Sequence, residues 1–242
     1  MKIVISQPMY FPWIGMFEQV RLSDIFVFYD DVQFSKGSFT NRVQVKYNNK
    51  EGFKWLTVPA SNLNLGVNIN ELKIDHSKKW QAEHSEILKS SYEKAPFYQD
   101  MREIVENLFD YKTDSLSELT IKSMELVMDY YGFKNQLTIS RSSELAIDGK
   151  STQRVFDIVK HYNCNVYITG HGAKKYFDHE LFDNNGIAVE YINYKKNEYP
   201  QLLGPFNPYV SILDLIANTG KEGLKYINSG AVYWKQFLEQ SN

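Results

Sequence analysis

The chain has one cysteine, Cys164, among 242 residues. A single thiol excludes an internal disulfide and any zinc cage built from thiolates. It lies between Asn163 and Asn165 just ahead of an apolar run, which suits a buried structural thiol, with a nucleophile as the alternative. Neither sign of charge is in excess, with 27 basic residues against 29 acidic ones and a formal net charge of −2. That balance argues against a nucleic-acid binder working through bulk phosphate attraction. Long apolar runs are also missing. No stretch approaches the length that spans a bilayer, and the first residues lack a basic segment followed by an apolar one and a cleavage site. The cytoplasm is therefore the expected location. GxGxxG, the Walker loop and HExxH are absent, so no phosphate or zinc-hydrolase signature assigns a chemistry.

What the chain does carry is aromatic residues, at 15% and with 17 tyrosines. Tyrosine joins an apolar ring to a hydrogen-bonding tip, the combination a sugar or nucleotide site needs; a tyrosine-rich core or a homo-oligomer interface would use the same excess. No linker, low-complexity tract or repeat interrupts the chain. The expectation is one domain over 1–242 with a mainly helical insertion at about 76–132.

The stretch from Lys2 to Phe34 organises the rest. Ile3, Val4 and Ile5 are too few for a helix and resemble a buried parallel strand. Gln7-Pro8 stops it, a helix begins near Pro12 or Trp13 and runs to about Leu22, and Ile25 to Tyr29 is a second strand. Such a βαβ unit places its strands parallel, so Gln7, Tyr10 and Trp13 share one rim with Asp30, Asp31 and Gln33. Ligands bind at that rim in open α/β sheets. A polar turn and plain core aromatics remain the alternative reading.

Val43, Val45 and Tyr47 alternate with polar residues and predict a hairpin with the FKWLTVP segment, added to the sheet or flapped over its rim. Asn41 and Arg42 stand next to the acidic rim, where the guanidinium could clasp a phosphate or carboxylate, or pair with Asp30 or Asp31. Helices are expected over His76 to Tyr92, from Pro96 onward, and from Asp114-Ser115 to Tyr131. Trp80 and His84 share a helix face, and His84 is open to a core role or to ligand contact. Strand signals then return at Leu137 to Ser140, Val166 to Thr169 and Ile187 to Tyr191. Ser142 and Ser143 come after one of these, and Gly170, His171 and Gly172 after another, in a turn able to present N–H groups to an anion. Helices close the chain at about Pro208 to Asn218 and Ala231 to Gln240. The expected fold class is α/β, a Rossmann-like, mostly parallel sheet with flanking helices, a β-hairpin addition and a helical insertion. No metal is assigned, because the adjacent side chains of Asp30 and Asp31 diverge, and no cofactor is identified.

The blocks QPMYFPWIGMFEQV, DIFVFYDDVQFSKGSFTNRVQVK, WLTVP, YEKAPFY, ISRSSEL, YITGHGAKKYFD, YPQ and SILDLIANTG, in that order, resemble the WbqC-like family across essentially the whole chain. The resemblance implies a protein of bacterial surface-polysaccharide, O-antigen or lipopolysaccharide gene clusters, often beside enzymes that make nucleotide-linked amino sugars. The family's shared polar residues fall on Gln7, Asp30, Asp31, Gln33, Asn41, Arg42, Ser142, Ser143, Tyr176, Tyr199, Gln201 and Asp214. A fainter likeness runs to the HUP-type nucleotidylyltransferase superfamily, for example pantothenate synthetase, although its paired histidines are absent from QPMYFPWIG.

The expected activity is that of a transferase that N-acylates or aminoacylates the amino group of a nucleotide-linked amino sugar, with acyl-CoA, an acyl carrier or ATP plus an amino acid as donor. Asp30 or Asp31, with His84 as substitute, would act as base. Ser142, Ser143 and the Gly170–Gly172 turn would cradle phosphate or oxyanion, Asn41 and Arg42 would fix the diphosphate, and Tyr10, Trp13 and Tyr176 would stack on base or sugar. An ATP-dependent ligase or nucleotidylyltransferase and a non-catalytic scaffold are the alternatives.

Overall fold

The apolar runs form strands, and their order decides everything above them. In the computed structural model, which describes residues 1–174 and 177–240, strands β1 (Lys2–Ser6) and β2 (Ile25–Phe28) flank helix α1 (Ile14–Leu22). They pair in parallel with Ile3 opposite Ile25. The hairpin β3 (Arg42–Lys46) and β4 (Phe53–Thr57) forms a two-stranded sheet of its own instead of extending the main one. Another small pair joins β5 (Ala60–Ser61) to β6 (Lys73–Ile74). Helices α2 (Trp80–Tyr92), α3 (Tyr98–Asp110) and α4 (Leu116–Tyr131) come next. The last opens on Ser115, whose side chain accepts from Glu118 N–H, and ends at Gly132 in the left-handed region.

Strand β7 (Thr138–Arg141), helix α5 (Ser151–His161), strand β8 (Val166–Thr169), helix α6 (His179–Asp183) and strand β9 (Ala188–Ile192) resume the α/β alternation. Helices α7 (Ile212–Thr219) and α8 (Leu224–Ile227), strand β10 (Ala231–Tyr233) and helix α9 (Trp234–Gln240) complete the described chain. The central sheet has the order β10-β9-β8-β1-β2-β7, with only β10 antiparallel. The sequence predicted helix from Ala231, but three residues pair with β9 first. So short a strand running straight into a helix leaves no alternation to read.

From β1 the chain steps outward to β2 and β7, then returns through α5 to β8 on the other side of β1. The fold is Rossmann-like, with its order reversing between β1 and β8. Val4, Phe26, Phe28 and Ile168 point to one face, into the apolar cluster made with α1, α2, α3, α4 and α7. Ile3, Ile5, Val27, Tyr167 and Val189 point to the other, against α5, α6 and α9. Period-two alternation in strands covered on both sides produces these two cores. Cys164 is buried in the second.

The loop from β1 to α1 is clamped from two sides, by α4 and by the head of α7. Phe11 is fully buried with φ +40°, an uncommon conformation for a bulky residue. Its N–H donates to Ser123 Oγ at 3.1 Å, its carbonyl accepts from Ser211 Oγ at 2.7 Å, and Ile212 N–H donates to the Pro12 carbonyl. Ser123 also donates to the loop through the Met9 carbonyl at 3.1 Å. Replacing Ser123 with alanine orphans a buried N–H on a strained residue, so S123A is expected to lose about 1–3 kcal/mol in urea unfolding. An unchanged midpoint would show that the clamp contributes nothing.

Candidate functional site

A cleft of about 750 Å³ opens at the carboxyl ends of β1, β2 and β8, over the reversal point. Gln7, Trp13, Asp31, Gln33, Gly170 and Gly172, all expected at this rim, line it together. So do Gln19, Asn68, Lys150, Ser151, Thr152 and Arg154, which the sequence reading did not single out. The volume is typical of small-molecule sites, and the wall mixes carboxamides and charged groups with Met16, Tyr29, Tyr167 and Phe177.

The Asp30-Asp31 step after β2 splits its side chains in two directions. Asp30 turns inward, 3% exposed, and accepts from Ser143 N–H at 3.1 Å, Ser143 Oγ at 2.9 Å and Ser142 Oγ at 3.3 Å. Asp31 faces the cleft and accepts from Ser142 Oγ and from Arg154 Nη2, each at 2.5 Å. Arg154 Nε donates to the Ile147 carbonyl, and its guanidinium lies over the Tyr29 ring. Partial burial alone would raise the Asp31 pKa, but the hydrogen bonds from Arg154 and Ser142 and the guanidinium charge outweigh it and hold the carboxyl below its ordinary range. Asp31 is therefore a fixed anion at neutral pH. The two serines serve the aspartates and do not line the cleft.

Trp13 is held over the first turn of α1, packed edge-on against Tyr194 at 4.7 Å. A Cβ on Gly15 would come within 2.4 Å of the Trp13 ring, so the indole can lie there only because position 15 is glycine.

Several expected contacts lie elsewhere, and these placements correct the expectation. Tyr10 and His84 are buried in the apolar cluster, bonded to each other at 3.0 Å between the phenol and Nδ1, and packed on Trp80. They do not reach the cleft, because α2 brings its apolar face onto the core. Asn41 donates to the Val58 carbonyl, and Arg42 stacks on Trp55 at 4.2 Å while donating to the Gly37 carbonyl. Both groups hold the hairpin and do not line the cleft; neither bonds Asp30 or Asp31. His171 bonds the Ile192 carbonyl through Nε2 and packs on Phe237, outside the lining. Tyr176 lies outside the described residues. Among the described residues no group of three or more His, Cys, Asp or Glu side chains could hold a metal ion.

Tyr199, Gln201 and Asp214 form a second network. Asp214 Oδ2 accepts from Tyr199 at 2.8 Å and from Gln201 at 2.9 Å, and Gln201 Oε1 accepts from Asn207 N–H. This locks the 199–207 segment onto α7, away from the cleft.

The arrangement defines a Rossmann-like α/β protein with a polar cleft at its strand-order reversal. The chain belongs to the WbqC-like protein family, whose model matches residues 7–226. It is 32% identical over 229 residues to the uncharacterized protein Rv1507c of Mycobacterium tuberculosis (strain ATCC 25618 / H37Rv), covering 93% of this chain and 97% of that one. No solved structure matches. No helix among the described residues is long and apolar enough to cross a membrane.

Two buried ionisable groups make stability depend on pH. Burial lowers the His84 pKa from 6.5 to about 4, and burial raises Asp214 from 3.8 to about 6 despite its hydrogen bonds. For His84 the unfolded chain binds the extra proton, so its contribution to stability falls as pH drops from 6.5 to about 4. For Asp214 the folded chain binds it, so stability rises as pH drops from about 6 to 3.8. The two slopes oppose each other. Relative to wild type, H84Q is expected to gain stability on acidification through this window and D214N to lose it, read by urea midpoints at each pH. Parallel profiles for all three proteins would refute the assignment.

At the cleft, R154A removes the charged donor to Asp31 and is expected to cost about 2 kcal/mol at neutral pH, a moderate figure because Asp31 is partly exposed. The depressed Asp31 carboxyl contributes above the unfolded carboxylate pKa near 3.8, and the difference from wild type should vanish as pH falls through the lower folded value. A deficit that persists undiminished in acid would assign the loss to packing instead of charge.

Proposed function

We propose that the protein is a cytoplasmic transferase that modifies the amino group of a nucleotide-linked amino sugar, by N-acyl or aminoacyl transfer, in O-antigen or other surface-polysaccharide synthesis. The whole chain acts as one domain in this reading. Its main support is the convergence of an ionised Asp31–Arg154 pair with the carboxamides of Gln7, Gln19, Gln33 and Asn68 in one cleft. Carboxamides both donate and accept, which suits a polyhydroxylated ligand, and Trp13 supplies an apolar face for a sugar ring. Family membership adds the gene-cluster setting as an expectation.

In the transfer the exocyclic amine attacks the activated carbonyl. A C–N bond forms, the bond to the leaving thiol or phosphate breaks, and the amine proton passes to the leaving group. Of the three groups considered from sequence, Asp31 alone reaches the cleft, and the proposal rests on it as an anion that orients the attacking amine and offsets the positive charge developing there, the proton departing with the leaving group. Gly170 and Gly172 line the same cleft, and in this reading their backbone would serve the oxyanion.

The test supplies amino-sugar nucleotides with acyl-CoA, an acyl carrier, or ATP plus amino acids, and looks for a new amide by mass spectrometry. D31N is expected to slow product formation by about 10²–10⁴-fold. Absence of a new amide with every donor would sink the transferase reading, and unchanged sugar-nucleotide affinity in D31A would then favour a scaffold.

A further inference from the structure

The head of α5 is the part of the cleft wall that acyl transfer at Asp31 leaves without a role. Gly149, Lys150, Ser151 and Thr152 all line the cleft. Gly149 has φ +110°, a backbone open to glycine alone at little cost. Lys150 is the N-cap in extended geometry, no side chain caps the first turn, and that turn has no acidic residue. The positive end of an eleven-residue helix is thus presented uncapped to the cleft, with a lysine that forms no ion pair among the described residues. In sequence these residues match the tail of a Walker loop with Glu144 in place of its first glycine, so the pattern alone assigns nothing.

An independent observation comes from the α1 side of the same cleft. Gln19 is 5% exposed and lines the cleft, yet its Nε2 meets only the Met16 sulfur at 4.0 Å, and its Oε1 has no donor among the described residues. A nearly buried carboxamide whose oxygen meets no protein donor and is open to the cleft takes its missing partner from whatever fills that cleft, and a ligand can be that partner. The partner must offer an acceptor and a donor side by side, as a nucleobase edge or an N-acyl group does.

We propose that the Gly149–Thr152 turn is the diphosphate seat of this cleft, with Lys150 as counter-charge, and that Gln19 binds the amide-like edge of the same ligand. This rests on the reading of a nucleotide-linked substrate and relocates its phosphates from Asn41 and Arg42, which the hairpin occupies, to the head of α5.

Calorimetric titration of wild type, K150A and Q19M against inorganic pyrophosphate, a panel of nucleoside diphosphates and uridine diphosphate N-acetylglucosamine tests it. Lys150 is exposed and Q19M keeps the length of the stem, so both variants should fold, with thermal unfolding as the control. K150A is expected to weaken pyrophosphate and diphosphate binding by about 10–100-fold. Q19M should leave pyrophosphate unchanged and weaken the larger ligands about tenfold. Loss with the free nucleoside diphosphates assigns Gln19 to the base; loss confined to the N-acetyl sugar ligand assigns it to the acyl group. Wild-type binding that K150A leaves intact overturns the phosphate seat while the nucleotide-sugar reading stands, and Q19M binding equal to wild type on every ligand overturns the role of Gln19. No nucleoside diphosphate or sugar nucleotide bound by wild type would remove both the seat and the reading beneath it.

Discussion

The Arg154–Asp31 pair is the interaction on which the cleft depends. It joins residues 123 apart in sequence, the end of β2 and the first turn of α5. In energetic terms such a pair is weak support for the fold, since desolvating two charges consumes most of their attraction and an apolar pair of equal volume would serve as well. Its consequence is positional. Ser142 bonds both Asp30 and Asp31, Ser143 completes Asp30, and Arg154 also holds the Ile147 carbonyl. The ends of β2 and β7 and the start of α5 are thereby fixed to one another around a charged group that faces the cleft. A half-satisfied version of this network would be worse than none, so its members stand or fall together.

The opposite wall is set by different means. No charge holds the β1–α1 loop; Ser123 and Ser211 grip the backbone of Phe11, and Trp13 lies over Gly15. Those contacts tie the loop to α4 and to the N-cap of α7, elements far from it in sequence. The helical segment between the hairpin and β7 therefore supports the rim from behind, through the same apolar cluster that buries Tyr10 and His84.

Much of the scaffold was legible in the sequence, because short β-branched runs bounded by turn residues have few other fates. The rim residues Gln7, Trp13, Asp31, Gln33, Gly170 and Gly172 were legible for the same reason: each comes just after a parallel strand, where the chain must turn at the carboxyl edge of the sheet. Arg154 was not. It sits in an amphipathic helix where a polar position reads as solvent-facing, and nothing local announces an aspartate paired 123 residues away. Gln19 was hidden for the converse reason, as a polar residue within a buried helix face. Tyr10 and His84 looked functional because aromatic and imidazole groups do, yet helical spacing with Trp80 was already the signature of a core.

Both walls carry a non-glycine residue in the left-handed region, as a few turns elsewhere also do. Phe11 at φ +40° precedes α1, and Ser151 at φ +56° begins α5, with Gly149 at φ +110° two residues earlier. These are the two helices that flank the cleft, one on each face of the sheet. Placing a non-glycine residue in the left-handed region costs about 1–3 kcal/mol, and the conformation persists only where its surroundings over-determine it. At Phe11 full burial and two serine bonds supply that determination. At Ser151 no side chain caps the turn, and the residue is exposed at the cleft. The asymmetry lies in the two strained residues, since the protein's own hydrogen bonds hold Phe11 while Ser151 faces the open cleft, and polar groups left open in a concave site are where a ligand's own atoms become part of the packing.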